Sequence, residues 1–147
     1  MKIGFASDHR GYKLKEQLKV ELEERGYLVK DYGTNSEEST DYPDYAFALG
    51  NGVVNKEVDF GVAICGSGIG ISIACNKVKG IRCAKVDSVQ EAIATRVDND
   101  SNIIAFGEKM TFEQAVELVQ TFIDTPTSKE EKHVRRRNKI KEYEEQN

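Results

Sequence analysis

Phe60-Gly61-Val62-Ala63-Ile64-Cys65 is a nearly unbroken apolar run. A strand with no alternating polar residues cannot face water on one side, so this segment demands cover on both faces, as in the middle of a parallel sheet. The flanking segments repeat one pattern. Ile3-Gly4-Phe5-Ala6 is a second short apolar run, and Tyr12 to Arg25 then carries Leu14, Leu18 and Leu22 at spacing four, one stripe of a helix. Gly26 ends that helix, and Tyr27 to Tyr32, rich in aromatic and branched residues, predicts the next strand. After the polar stretch Gly33 to Asp41, Pro43 opens a helix whose body, Tyr45 to Val54, places Ala46, Phe47, Leu49 and Val53 at helical spacing. Beyond the central run, the reading is helix over Ile69 to Asn76, strand over Ile81 to Val86, helix over Val89 to Val97, strand over Asn102 to Phe106, and a helix over Thr111 to Asp124 capped by Thr111.

Five βα units in succession predict a Rossmann-like three-layer αβα fold with a five-stranded parallel sheet and right-handed crossovers. The 147 residues contain no repeat and no linker, so residues 1–147 are read as a single domain. Lys129 to Glu145 is highly charged, with Val134, Ile140 and Tyr143 as its few apolar residues. This protruding C-terminal helix, about residues 128–145, is expected to lean on a second subunit.

Charge and cysteine content narrow the function classes. A net charge of -4 and a pI near 5.3 argue against a broadly basic, nucleic-acid-coating surface. No apolar stretch approaches the roughly 18 to 20 residues needed to span a bilayer, which excludes a helical membrane protein. Three cysteines cannot make a closed disulfide framework, and the chain starts directly in a strand-like run, so the reading is cytoplasmic and reducing.

Ligands of open α/β sheets bind beyond the carboxyl ends of the strands. There this sequence carries Ser7-Asp8-His9-Arg10-Gly11, Cys65-Gly66-Ser67-Gly68-Ile69-Gly70, Asp87-Ser88 and Gly107-Glu108-Lys109. Alternate glycines at Gly66, Gly68 and Gly70 allow a tight turn that aims N–H groups at a bound oxygen. A thiol at such a helix start is stabilised as thiolate, below its free pKa of about 8.5, and becomes a usable base or nucleophile. The competing reading of Cys65 is a small hydrophobe ending a core strand. That plainer reading is the better one for Cys75 and Cys83. Asp8 and His9 read either as a polar turn capping the next helix or as partners of Cys65 on one edge, and Asp98-Asn99-Asp100 reads either as a helix end or as functional.

Other motifs fit poorly. A phosphate-binding loop needs Lys-Ser/Thr after its last glycine, and here Gly70 precedes Ile71-Ser72. The hydrolase elbow needs glycine two residues before the serine, where Ser67 has Cys65. The dinucleotide fingerprint is one residue out of register, although Asp87 keeps a dinucleotide-binding module as an alternative. His9 and His133 are the only histidines, and no metal-ligand spacing occurs, so no metal is expected. Lys132-His133-Val134-Arg135-Arg136-Arg137 is a basic cluster with Lys132 and Arg136 one turn apart, suited to a phosphate, to a local nucleic-acid contact or simply to a solvated face.

Taken in order, Ser7-Asp8-His9 with Gly11, Asp31 to Thr34, Thr40 to Pro43, Ile64 to Ala74 with Asn76-Lys77, Gly80-Ile81-Arg82, Asn99 to Asn102 and Ala105-Phe106-Gly107 resemble the type B ribose-5-phosphate isomerases, a family that includes the galactose-6-phosphate isomerase subunits. The resemblance implies a cofactor-independent aldose–ketose isomerisation of ribose 5-phosphate and ribulose 5-phosphate through an enediolate, in the pentose phosphate pathway. By that resemblance Cys65 is the base, the amides of Gly66, Ser67, Gly68, Ile69 and Gly70 form the oxyanion hole, and Ser67 moves a proton between the two oxygens. Asp8 binds sugar hydroxyls and assists ring opening, Tyr42 lines the pocket and Asn99 contacts the enediolate. His9, Lys109, Lys132 and Arg136 match the phosphate grip.

The resemblance also implies a homodimer, or a tetramer made of two dimers, with shared sites. Asn99, Lys109, Lys132 and Arg136 then reach a pocket whose Cys65 and Asp8 belong to the other subunit. Two departures stand out. Asp98 replaces the histidine that usually precedes the asparagine and opens the furanose ring, and lysines stand at 109 and 132 where arginine is common. These departures leave open an isomerase of six-carbon sugar phosphates (allose 6-phosphate or galactose 6-phosphate) and a non-catalytic sugar-phosphate-binding protein.

Overall fold

A computed structural model describes residues 1–147. Strands β1 (Lys2–Ser7), β2 (Leu28–Asp31), β3 (Phe60–Cys65), β4 (Cys83–Lys85) and β5 (Ile103–Gly107) form one sheet in the order β2-β1-β3-β5-β4. All four pairings are parallel. Helices α1 (Tyr12–Glu24), α2 (Tyr42–Val54), α3 (Ile69–Cys75), α4 (Val89–Asn99) and α5 (Phe112–Asp124) connect and flank the strands, and α6 (Glu131–Gln146) ends the chain.

The apolar run that demanded two covered faces is β3, the central strand, and Gly61 to Cys65 are all buried. Its side chains alternate between two cores. Val62 and Ile64 join Ile3, Phe5, Ile104 and Phe106 under α1, α4 and α5, where Leu18, Ala92 and Phe122 close the layer. Ala63 and Cys65 face the other side with Leu49, Ile71 and Cys75 of α2 and α3. On that face Ala6, Ala63 and Ala105 lie side by side across β1, β3 and β5. Three small side chains in one row let α2 and α3 pack close to the sheet, which brings their first turns up to its carboxyl edge.

The leucine stripe of α1 is buried as expected, but a lysine is buried with it. Lys15 is fully enclosed, and its Nζ donates to both Asp31 carboxylate oxygens and to the Thr34 carbonyl, each at 2.7 Å. This ammonium ties α1 to the end of β2 and to the following turn. Gly33 there has a φ of +107°, and an added Cβ would stand 2.5 Å from the Tyr45 ring, so only glycine fits.

Both edge strands are shorter than their sequence pattern. β4 keeps only Cys83–Lys85 of the expected Ile81 to Val86, because Arg82 donates its backbone N–H to the Asn102 side chain instead of to a neighbouring strand. Helix α4 runs two residues further than expected and ends on Asp100, whose φ of 49° stops it. The cap at Thr111 is a reciprocal box: Thr111 Oγ1 accepts the Gln114 N–H at 3.2 Å and Gln114 Oε1 accepts the Thr111 N–H at 3.1 Å. Thr111→Ala is expected to cost about 1 kcal/mol in urea unfolding and to leave catalysis unchanged.

Helix α6 has no buried residue, in line with its charged sequence. It is nevertheless moored on its own chain. Arg137 donates to the Ser128 carbonyl at 2.7 Å and to the Val97 and Asp98 carbonyls at 3.4 Å, and Glu144 accepts the Gly80 N–H at 2.7 Å. No helix is long and apolar enough to cross a membrane.

Candidate active site

From β1 the chain crosses over to β2 on one side, and from β3 it leaves toward the other. The loops after these adjacent strands therefore diverge and open a crevice at the carboxyl edge. Ser7 pairs with Ile64, and the Asp8 N–H donates to the Ile64 carbonyl at 3.2 Å, so the Asp8 and Cys65 loops start side by side.

Cys65 is 4% exposed. Its sulfur accepts the Gly68 N–H at 3.2 Å, which holds the thiol against the start of α3. Ser67 Oγ accepts the Ile69 N–H at 3.1 Å, so two amides of this turn are engaged inside the loop. The N–H groups of Gly66, Ser67, Gly70 and Ile71 donate to no group of the chain. A row of unengaged donors beside a thiol can stabilise an anionic oxygen. Gly68 has a φ of +80°, and a Cβ there would meet the Phe106 backbone at 2.6 Å. The loop can thus lie flat on β5 only with glycine at this position.

The opposite wall comes from the β2–α2 connection. His9 Nδ1 accepts the Thr40 N–H at 3.2 Å, which leaves Nε2 as the outward nitrogen. Thr40 also bonds Tyr45 Oη at 2.9 Å, and hydrogen bonds from Thr34 and Thr40 hold that phenol below its ordinary pKa. Asp8, His9, Thr40, Asp41 and Tyr42 line one open cleft. Tyr42 lies on Gly70, where an added Cβ would stand 2.6 Å from the phenol ring, so the cleft and the Cys65 loop are in contact. Asp8 is buried and uses Oδ1 to accept the Arg10 and Gly11 N–H groups at 3.0 and 3.1 Å. The turn-capping reading of Asp8 therefore holds, and it leaves room for the site reading, since Oδ2 bonds nothing in the chain.

Arg10, read from the sequence only as part of the Ser7 to Gly11 loop, is a further candidate. Its guanidinium lies over Gly66 and pairs with Glu108 after β5, closing the top of the crevice with charge. Glu108 in turn holds Arg10 above its ordinary pKa. Ninety-eight positions separate the pair, and nothing local marks either residue.

The remaining candidates lie elsewhere. Asp98 and Asn99 end α4, which runs back from the carboxyl edge to the amino edge of the sheet, so they stand at the opposite end from Cys65. The length of β3 makes that separation about 20 Å. Lys132 and Arg136 are exposed on the part of α6 moored to this end of α4. One subunit therefore cannot bring Asp98, Asn99, Lys132 or Arg136 to its own Cys65. Lys109 lies at the other end of the sheet from these four. It follows Gly107, which pairs with Cys65, and Glu108, whose N–H bonds the Gly66 carbonyl, so it stands on the Cys65 edge of its own chain.

A crevice holding a thiol beside unengaged amides suits proton transfer next to a carbonyl group, the chemistry of an isomerase. The sequence profile of the family described as Ribose/Galactose Isomerase matches residues 3–140. Ribose-5-phosphate isomerase B of Escherichia coli is 44% identical over 123 residues, 84% of this chain and 80% of that protein. The structure of Clostridium thermocellum ribose-5-phosphate isomerase B superposes with a TM-score of 0.95 at 43% identity, covering 99% of both chains. That of the Mycoplasma genitalium enzyme with bound ribulose-5-phosphate superposes at 0.92 with 34% identity, over 99% of this chain and 97% of that one. The chain belongs to the ribose/galactose isomerase family and is an aldose–ketose isomerase.

Proposed function

We propose that this isomerase interconverts ribose 5-phosphate and ribulose 5-phosphate through an enediolate, with Cys65 as the base. The observation that carries the reading is the buried Cys65 sulfur set beside four amides that bond nothing else in the chain. The thiolate removes the proton from C2 of the open aldose while those N–H groups take up the charge growing on the carbonyl oxygen. Ser67, exposed at the loop tip, passes a proton between O1 and O2, and the Cys65 thiol returns its proton to C1. Asp8 and Tyr42 hold sugar hydroxyls, and His9 with Lys109 takes the phosphate. The bound ribulose-5-phosphate of the Mycoplasma genitalium relative supports a five-carbon ketose phosphate for this fold.

The site is completed by a second copy of the chain. Ile69 and Ile73 on α3 are 56% and 57% exposed and Phe47 on α2 is 41% exposed, an apolar face next to the Cys65 loop that suits an isologous dimer. Asn99, Lys132 and Arg136 of the partner subunit then reach the enediolate and the phosphate. Lysine at 109 and 132 keeps the charge but lacks arginine's two-pronged fork. The free thiols suit the reducing cytoplasm.

The function is tested by following ribulose 5-phosphate formation from ribose 5-phosphate, beside allose 6-phosphate and galactose 6-phosphate. The expected result is a kcat/KM at least about tenfold higher on the pentose, a margin of about 1.4 kcal/mol. Equal or better turnover of a hexose phosphate reassigns the substrate. Shared sites are tested by mixing inactive Cys65→Ala and inactive Arg136→Glu proteins after subunit exchange. Random pairing gives mixed dimers with one intact site each, so the mixture regains about a quarter of wild-type turnover. A mixture that stays inactive argues for sites contained in one chain.

A further inference from the structure

Ribose 5-phosphate is a furanose, so a group must open its ring before any proton leaves C2. Asp98 stands where the resemblance implies a histidine for that step, and it does not stand alone. His133 Nε2 lies 3.4 Å from Asp98 Oδ1, and His133 Nδ1 is 2.8 Å from Ser128 Oγ. The His133 side chain is 14% exposed and that of Asp98 is 52% exposed, so the carboxyl faces outward with the imidazole behind it. Ser128 is itself pinned, its N–H donating to the Val97 carbonyl at 3.0 Å and its carbonyl accepting from Arg137. Arg137 also reaches the Val97 and Asp98 carbonyls, which locks the first turns of α6 to the end of α4.

We propose that Asp98 is the ring-opening acid–base group and that His133, fixed by Ser128, is its positioning residue. The inference rests on the isomerase function and shared site proposed above, because Asp98 acts on the sugar bound in the other subunit. The carboxylate takes the proton of the anomeric O1–H, and the carboxyl so formed passes that proton to O4. The C1–O4 bond breaks with its electron pair on O4, and C1=O1 forms, so no proton is gained or lost overall. His133 aims the carboxyl through its Nε2 contact. The imidazole absent from position 98 is thus supplied from position 133, a different element.

Ribulose 5-phosphate carries its phosphate on O5 and has no ring, so the two directions of the reaction separate ring opening from proton transfer. In His133→Gln, kcat/KM on ribose 5-phosphate is expected to fall about 30-fold or more, while exchange of solvent deuterium into C1 of ribulose 5-phosphate falls less than about threefold. In the double variant Asp98→His/His133→Gln, an imidazole returns at position 98 and at least about tenfold of the lost turnover is expected back. A purely structural His133 would give neither the split nor the rescue. Ser128→Ala, which keeps the imidazole but frees it, is expected to show the same split at smaller size and serves if His133→Gln does not fold. Equal losses in both assays, or unchanged ribose 5-phosphate turnover, overturn the proposal. A wild-type protein inactive in both assays overturns it together with the isomerase function, an outcome distinguished by needing no variant.

Discussion

Cys65→Ala is expected to lower kcat about a thousandfold with KM for ribose 5-phosphate nearly unchanged. Removing the base leaves the amide row, the phosphate cations and the cleft intact, so substrate binding survives while the proton at C2 has no acceptor. The residual rate comes from binding and from the N–H groups of Gly66, Ser67, Gly70 and Ile71. Folding is not the cause of the loss. Replacing a buried sulfur with a methyl hydrogen removes one heavy atom from the α2–α3 core, a cost of about 1–2 kcal/mol. Cys65→Ser, close in size but a far weaker base, is expected to be nearly as inactive, which separates loss of the base from loss of packing. Steady-state kinetics with matched thermal melts make the check. Turnover in Cys65→Ala within about tenfold of wild type would mean that another group takes the proton.

Lys15→Met is expected to destabilise the fold by about 3–5 kcal/mol, a large share of the roughly 5–15 kcal/mol that holds a domain of this kind. Methionine matches the stem of lysine in the leucine stripe but leaves the Thr34 carbonyl without its donor and strips one cation from Asp31. At about 2–4 °C per kcal/mol, the melting temperature falls by roughly 6–20 °C. The pH dependence carries the same signature. Burial by itself raises the Asp31 pKa, but hydrogen bonds from Lys15, Lys19 and the Gly33 N–H outweigh it and hold the carboxyl below its ordinary value. A carboxyl depressed in the folded state binds its proton more readily when unfolded. Its contribution is therefore full above the ordinary carboxylate range and is lost as pH falls through the folded value. Lys15→Met should flatten that acid loss as well as lower the plateau. Urea unfolding at neutral and acid pH tests both, and a plateau change under about 1 kcal/mol would show that Lys15 is dispensable. Because the Thr34 turn leads to Thr40 and its bond to His9, ribose 5-phosphate binding is expected to weaken in the variant as well.

The same lysine shows where reading the sequence stops. The spacing of Leu14, Leu18 and Leu22 is enough to find α1, since a helix repeats every 3.6 residues whatever surrounds it. It says nothing of Lys15, whose burial depends on a carboxylate sixteen positions away that only folding brings near. Cys65, its glycine loop and the Asp8-His9 turn were legible because each directly follows a strand, and parallel strands send their carboxyl ends to one edge. The pairing of Arg10 with Glu108 was not, because it depends on β5 inserting between β3 and β4, an order that strand patterns do not encode.

Asp98 is the sharpest case. Its sequence neighbours present only a helix end and a departure from the family pattern, while the imidazole beside it comes from a residue 35 positions on, carried in by α6. Periodicity and strand ends are local properties of the chain, and they determined the order of elements, the central strand and the thiol loop of this protein. Which charges meet, which edge each candidate occupies, and why one subunit cannot gather all the candidates were decided by tertiary structure. Those contacts join residues far apart in the chain, and their energies exist only once the sheet order has brought the partners within a few ångströms.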